Sequence, residues 1–183
     1  MSLLGEILEH NRRFVEERER PLTKAPARKV ALFTCMDTRL VEFLEPAMGL
    51  KRGDAKVIKN AGNSLVHSDD GVIRSLVVAV YALGCEEIYV IGHRDCGMSQ
   101  LDEAELERRM LERGVPADLI ERLHPGLLEW VGAIHDPAAN VVNVVNQLCE
   151  NPLLPNDVPI HGLIFDPASG RLDLLVDGYE CRT

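Results

Sequence analysis

The sequence predicts an α/β fold: a mostly parallel central sheet of about four parallel strands plus an antiparallel edge strand, flanked by helices and preceded by an N-terminal helical arm. Apolar, strand-like runs alternate with helical segments through the first hundred residues. Such alternation is typical of right-handed crossovers and parallel strands covered on both faces. Two further apolar runs near the C-terminus flank a Pro-Ala-Ser-Gly turn, which predicts a hairpin that adds the antiparallel edge. A length of 183 residues with 46% hydrophobic content suits a single domain over residues 1–183.

The N-terminal segment, residues 1–26, is predicted to be an amphipathic helical arm that prolines end. Its apolar side chains recur at mostly helical spacing between charged ones, at Leu3, Leu4, Ile7, Leu8 and Phe14. The apolar run Lys29–Thr34 then predicts a short buried strand that stops at Cys35. A helix is expected from about Arg39 to Met48, because glycines follow it.

The following segments continue the alternation. Ala55–Ile58 predicts a second strand, and Glu87–Ile91 predicts a third. Between them a helix is expected over Asp70–Leu83, with Ser68 and Asp69 as candidate N-caps. The remaining predicted elements are one or two charged helices over residues 98–125, a helix over 139–149, and the hairpin strands Ile160–Phe165 and Leu172–Val176.

Charge and cysteine content limit the classes of function. The 20 basic and 29 acidic residues give a formal net charge of -9, which argues against a surface that binds nucleic acid or an anionic membrane. No apolar run approaches the roughly 20 residues needed to span a bilayer, and the charged N-terminus does not resemble a secretion signal. Five scattered cysteines, an odd number, disfavour a disulfide framework. We therefore expect a cytoplasmic protein with a small-molecule partner.

Cys35, His93 and Cys96 are the candidate metal ligands. Cys35 follows the first predicted strand and His93 the third, and ligands bind where the carboxyl ends of parallel strands meet. Thiolate and imidazole suit zinc better than magnesium or calcium, which prefer oxygen ligands. Structural zinc sites usually have four protein ligands, whereas catalytic sites have three and leave the fourth position to water or substrate. The set therefore predicts a catalytic Zn2+ site that acidifies a bound water.

Asp37 and Arg39 are the candidate catalytic residues beside this site. If the stretch after Cys35 is extended, the side chains at positions 35, 37 and 39 share a face. An ionised Asp37 could accept a hydrogen bond from a zinc-bound hydroxide and aim its lone pair at a substrate, while Arg39 holds the carboxylate in a bidentate pair. Asp37 could instead be the fourth zinc ligand. The metal site would then be closed until Arg39 forms an ion pair with the carboxylate.

Two short motifs carry these five residues. Residues 35–39 read Cys-Met-Asp-Thr-Arg, and residues 93–97 read His-Arg-Asp-Cys-Gly. They resemble the Cys-X-Asp-X-Arg and His-X-X-Cys-Gly motifs of the beta-class carbonic anhydrases. Residues 53–63 and 70–75 also resemble the short archaeal-type branch of that class. The resemblance is specific from about Lys29 to Met98 and looser through residues 161–172.

The resemblance implies reversible hydration of carbon dioxide to bicarbonate and a proton by a zinc-bound hydroxide, with Asp37 and Arg39 as the orienting dyad. It also implies a homodimer or homotetramer in which the arm of residues 1–26 packs on a partner subunit. The loop Ser64–Ser68 is a few residues longer than in the short archaeal type, so the pocket near it is expected to differ in shape.

Two other functions fit the same motifs. One is hydrolysis of carbonyl sulfide or carbon disulfide at the same site, and the other is a non-catalytic zinc-binding domain in which Asp37 closes the metal site. Nucleotide binding is disfavoured, because no Gly-X-Gly-X-X-Gly or Walker lysine loop follows a strand.

The other residues that could carry chemistry have simpler explanations. His161 is expected to be a core or edge histidine, and His67 a solvated loop residue, although an imidazole could also shuttle protons. Arg94 and Asp95, between the candidate ligands, are expected to face solvent. Cysteines 85, 149 and 181 are expected to be small buried hydrophobes or exposed side chains.

Overall fold

Five strands form one sheet in the order β2-β1-β3-β4-β5. The computed structural model describes residues 2–16, 23–67, 70–123, 131 and 134–180. Its strands are β1 (Val30–Cys35), β2 (Ala55–Asn60), β3 (Glu87–His93), β4 (Ile160–Phe165) and β5 (Leu172–Val176). Strands β1 to β4 run parallel, and β5 pairs antiparallel with β4. The predicted fold class is confirmed, including the antiparallel edge strand.

The helices lie between the strands as the alternation predicts. The described part of the chain contains α1 (Leu3–Glu16), α2 (Leu44–Ala47), α3 (Gly71–Val77), α4 (Glu103–Glu112), α5 (Ala117–Leu123) and α6 (Pro137–Cys149). Short 3-10 turns lie at Thr38–Leu40, Ala61–Asn63 and Gly97–Gln100, and the π-helical turn Val78–Ala82 continues α3. None of the helices in these ranges has both the length and the apolar composition that crossing a bilayer requires.

Apolar side chains cover both faces of the sheet. One face, which includes Phe33 and Val90, packs against helices α3 and α6. The opposite face, which includes Leu32 and Ile91, packs against Leu44 of α2. Successive residues of a strand point to opposite faces, so a strand buried on both faces is apolar throughout. This explains why β1 and β3 are recognisable in the sequence as continuous apolar runs.

The segment after β1 differs from the helix predicted over Arg39–Met48. A 3-10 turn at Thr38–Leu40 is followed by the single-turn helix α2. Between these two elements Val41 is extended, with φ -68° and ψ 128°, and Glu42 is left-handed, with φ 56°. Neither conformation continues a right-handed helix. The predicted helix is therefore wrong over its first half.

Asp70 begins helix α3. Its Oδ1 accepts hydrogen bonds from the N–H groups two and three residues further on, at 2.8 Å and 3.0 Å. A side-chain oxygen in this position satisfies N–H groups that the first helical turn leaves unpaired. Asp70 thus fills the N-cap role, while the predicted caps Ser68 and Asp69 lie outside the described residues.

Helix α6 packs directly against glycines of β3 and β4. A Cβ atom at Gly92 would lie 2.6 Å from Val141 Cγ2 and 3.2 Å from the carbonyl oxygen of Pro137. A Cβ atom at Gly162 would lie 3.0 Å from Val141 Cγ1. Larger residues would push α6 away from the sheet. The close packing supports the end of β3, where His93 follows Gly92.

Candidate metal centre

Three predicted ligands converge where the carboxyl ends of β1 and β3 meet. Cys35 ends β1, His93 ends β3, and Cys96 lies in the turn that follows. One ligand atom of each residue lies within 4.8 Å of those of the other two. All three residues are buried, with exposed fractions of 4%, 1% and 3%. No second group of this kind exists among the residues that the structure describes.

The two ring nitrogens of His93 have different surroundings. Nδ1 lies 3.0 Å from the carbonyl oxygen of Arg94, and because a carbonyl can only accept, Nδ1 carries the proton. Nε2 therefore has a free lone pair, yet it is buried without a hydrogen-bond partner among the residues that the structure describes. Burial of an unsatisfied nitrogen is costly, whereas a metal-binding histidine commonly donates its other N–H to a carbonyl. The surroundings of His93 thus fit a metal ligand.

The two sulfur atoms are spaced for a shared metal rather than for a disulfide. Sγ of Cys35 lies 4.0 Å from Sγ of Cys96, whereas a disulfide bond is about 2.05 Å long. Two sulfurs bound to one tetrahedral zinc at about 2.3 Å would be about 3.8 Å apart. The hydrogen bond between the sulfurs lowers the pKa of Cys35 and raises the pKa of Cys96. A metal that binds both sulfurs must therefore displace the proton of Cys96.

Arg39 holds the carboxylate of Asp37 beside this cluster. Nε donates to Oδ1 at 3.0 Å, Nη2 donates to Oδ2 at 2.8 Å, and the backbone N–H of Arg39 donates to Oδ1 at 2.9 Å. The side-chain hydrogen bonds from Arg39 lower the pKa of Asp37 to about 2. Oδ2 of Asp37 lies 3.7 Å from Nε2 of His93. Asp37 thus lies beside the ligand nitrogen of His93 but is not one of the three mutually close ligands.

Arg39 has a second partner, Asp95, which the sequence analysis missed. Nη1 of Arg39 donates to Oδ2 of Asp95 at 2.9 Å, and Nη2 donates to the carbonyl oxygen of Asp95 at 2.7 Å. The Asp95 side chain is 70% exposed, as expected, but it also forms an ion pair with Arg39 that the expectation did not include. Its neighbour Arg94 is 60% exposed and pairs with Asp173. The only sequence signal for Asp95 is its position between two candidate ligands.

The turn after β2 packs against the cluster. The side chain of Asn60 closes this turn, because Nδ2 donates to the carbonyl oxygen of Ser64 at 2.7 Å and Oδ1 accepts from the N–H of Ser64 at 3.2 Å. Besides the Cys96 thiol, the backbone of Gly62 helps to lower the pKa of the Cys35 thiol. Gly62 has φ 72°, and a Cβ atom there would lie 2.5 Å from Ile134 Cδ1. The positive φ favours glycine at this position, and the lack of a side chain lets Ile134 pack close to it.

Comparison with known proteins identifies the family. A family model described as carbonic anhydrase matches residues 30–172. The protein "Beta-carbonic anhydrase 1" of Mycobacterium tuberculosis is 30% identical over 174 residues, which cover 94% of this chain and 98% of that protein. The chain belongs to the beta-class carbonic anhydrase family. The chain is therefore a member of a family of enzymes, as the two motifs predict.

Two further relatives of this carbonic anhydrase match nearly the whole chain. A Bacillus subtilis protein named "Putative carbonic anhydrase YvdA" is 44% identical over 186 residues, which cover 98% of this chain and 94% of that protein. The crystal structure of a beta-carbonic anhydrase from Trichomonas vaginalis matches this chain with a TM-score of 0.94. The two sequences are 42% identical, and the match covers 98% of this chain and 100% of that chain. The fold of this carbonic anhydrase, including α1, is thus the fold of a solved family member.

The other histidines and cysteines that could carry chemistry lie outside the candidate metal centre of this carbonic anhydrase. His161 is buried, its Nδ1 accepts the N–H of Gly178 at 3.1 Å, and its ring stacks on Tyr89 at a centroid distance of 4.7 Å. It is a core histidine, as expected. His67 is exposed. Cys85 is buried, Cys149 is partly buried, and Cys181 lies outside the described residues.

Proposed function

We propose that this beta-class carbonic anhydrase catalyses the reversible hydration of carbon dioxide to bicarbonate and a proton, at a zinc ion bound by Cys35, His93 and Cys96. Asp37 and Arg39 form the catalytic dyad that orients the reacting oxygen. The supporting observation is the convergence of two sulfurs with the buried Nε2 of His93, which has no hydrogen-bond partner in the described part of the chain. Three protein ligands, with Asp37 held aside, leave room for a fourth ligand from solution.

The dyad acts through its charge and its position. A zinc ion bound here would lower the pKa of a coordinated water so that it can attack carbon dioxide, the behaviour for which the three-histidine carbonic anhydrase is the standard example. Asp37 stays ionised, since Arg39 keeps its pKa at about 2, and so it can only accept hydrogen bonds. An oxygen nucleophile that donates a hydrogen bond to Asp37 turns its lone pair away from the carboxylate and toward carbon dioxide.

Arg39 also keeps Asp37 available for this role. Its bidentate pair engages both carboxylate oxygens, which disfavours direct binding of Asp37 to the metal. A closed, non-catalytic zinc site would need the opposite arrangement. In the reverse direction, bicarbonate carries one O–H group that can donate to Asp37, whereas an anion without a proton would face the carboxylate with no hydrogen bond to donate.

Metal analysis and stopped-flow carbon dioxide hydration on the same purified protein test this function. We expect about one zinc per chain and a hydration rate that falls as zinc is lost. His93→Ala should lose both zinc and hydration. Cys149→Ala is the matched control, since Cys149 is a partly buried cysteine of α6 outside the cluster. Zinc-loaded protein without hydration from pH 6 to 9, or a fully active His93→Ala variant, would overturn the proposal.

Hydrolysis of carbon disulfide or carbonyl sulfide is the second candidate function. An Acidithiobacillus thiooxidans protein named "Carbon disulfide hydrolase" is 31% identical over 157 residues, which cover 79% of this chain and 76% of that protein. The same metal site and dyad would serve either reaction. Sulfide release should be measured beside carbon dioxide hydration under the same conditions. Abundant sulfide with negligible hydration would make the hydrolase the better assignment.

We also propose that the chain is one domain over residues 1–183 and forms a homodimer or homotetramer, with the arm of residues 1–26 on a partner subunit. Five apolar side chains of α1 are between 50% and 71% exposed in the single chain, namely Leu3, Leu4, Ile7, Leu8 and Phe14. An apolar helix face of this kind usually packs against another surface. A cytoplasmic location, a carbon dioxide or bicarbonate partner and membership of the short archaeal-type branch complete the proposal.

A further inference from the structure

We infer that Asp95 is a positioning residue, which holds Arg39 and, through Arg39, the carboxylate of Asp37 in the orientation that the reaction needs. This inference rests on the proposed function, because the reaction gives that orientation its purpose. Nothing in the two family motifs requires an acidic residue at position 95.

The guanidinium of Arg39 is held at two edges by different segments of the chain. On one edge, Nε and Nη2 donate to Asp37 at 3.0 Å and 2.8 Å. On the other edge, Nη1 donates to Oδ2 of Asp95 at 2.9 Å, and Nη2 donates to the carbonyl oxygen of Asp95 at 2.7 Å. All three guanidinium nitrogens therefore have a partner. A planar group held at both edges has one orientation.

The contact with Asp95 connects the dyad to the metal ligands. Asp37 is only two residues before Arg39, so their pair alone would move with the turn that carries both. The Arg39 side chain is 43% exposed, and a single exposed ion pair restrains a long side chain weakly. Asp95 is 56 residues away in sequence, in the turn between His93 and Cys96. Arg39 is thereby tied to the segment that supplies two of the three ligands.

The backbone at Asp95 is shaped for this contact. Its φ of 53° lies in the left-handed region, which few residues other than glycine adopt and which aspartate and asparagine tolerate best. In this conformation the carbonyl oxygen and the side chain both reach Arg39. Gln100 Nε2 lies 3.4 Å from the other carboxylate oxygen of Asp95. Unfavourable backbone conformations persist where surrounding contacts hold them, and they cluster at functional sites.

Two substitutions separate the carboxylate of Asp95 from its backbone. Asp95→Gly removes the carboxylate but accepts the positive φ and keeps the carbonyl oxygen. Asp95→Asn keeps an acceptor oxygen but loses the charge. We expect zinc content to stay at the wild-type level, kcat/KM for hydration to fall about tenfold in Asp95→Gly, mainly through kcat, and Asp95→Asn to lie between. Asp173→Asn is the matched control, because Asp173 also accepts from arginines but on β5.

The NMR signals of the Arg39 guanidinium give a readout that does not depend on turnover. In wild-type protein and in Asp173→Asn, rotation about the Nε–Cζ bond should be slow, with separate Nη signals. In Asp95→Gly these signals should average. Separate signals that persist in Asp95→Gly would overturn the inference, and so would averaged signals with wild-type kcat/KM. If wild-type protein hydrates no carbon dioxide, the proposed function fails, and the guanidinium spectra alone then decide whether Asp95 holds Arg39.

Discussion

At the scale of single residues, hydrogen bonds favour one protonation state for His93 and one for Asp37. The carbonyl of Arg94 places the proton of His93 on Nδ1, which leaves Nε2 free to bind a metal. Arg39 keeps Asp37 ionised. These contacts are present before any substrate arrives, so little reorganisation is needed when the site acts.

Replacement of Asp37 tests its catalytic role directly. Asp37→Ala should keep its zinc, because the three ligands are untouched, but should lose hydration by roughly 100-fold, since the nucleophile is no longer oriented. The loss should be similar at every pH from 5 to 9, because Asp37 has a pKa of about 2 and stays ionised throughout that range. Zinc analysis and stopped-flow hydration across this range provide the measurement. A fully active Asp37→Ala variant would remove the dyad from the mechanism.

The sequence predicts which five residues come together, because Cys35 and His93 each follow a strand and parallel strands end at the same edge. Asp95 could not be predicted in this way. Its role depends on a left-handed backbone conformation and on a contact 56 residues away in sequence. Neither property appears in hydrophobic periodicity or in a short motif.

At the scale of elements, the contact between α6 and the sheet supports the end of β3. Gly92→Ala should lower the free energy of unfolding by about 1–3 kcal/mol, because the added Cβ would lie 2.6 Å from Val141 Cγ2. Gly71→Ala is the control, since a Cβ there meets none of the described atoms within 4 Å and its φ is not positive. Urea unfolding of both variants is the measurement. Equal stability of the two variants would show that α6 can shift without cost.

The sequence predicts the strands more accurately than it predicts the segment between β1 and β2. Strands buried on both faces are visible as continuous apolar runs. The region 39–48 carries apolar residues at spacings that also suit a helix, but Val41 is extended and Glu42 is left-handed. The backbone here follows the packing of Leu40 and Leu44 under the sheet, which local sequence does not reveal.

At the scale of the whole molecule, the exposed apolar face of α1 predicts self-association. Leu4→Glu combined with Ile7→Glu should lower the molar mass measured by light scattering during gel filtration, because charge on this face prevents its burial. Arg12→Glu changes charge at an exposed position outside the apolar set and should leave the mass unchanged. An unchanged mass in the double variant would contradict a role of the arm in assembly.

Metal removal should destabilise the whole chain. A ligand that binds only the folded state adds about 2.7 kcal/mol of stability at a free concentration of 100 times its Kd. Calorimetry should therefore show a lower Tm after chelation and recovery when zinc is added back. His93→Ala should show neither change. A wild-type Tm that is the same with and without zinc would count against a bound metal.

Cys35 and Cys96 are 61 residues apart in sequence, and the strands that bring them together pair in parallel. Pairing between such distant segments forms slowly, because a long loop must close first. The ligand cluster consequently cannot exist in a locally folded fragment of either strand. During refolding, metal binding should therefore begin only once β1 and β3 have paired.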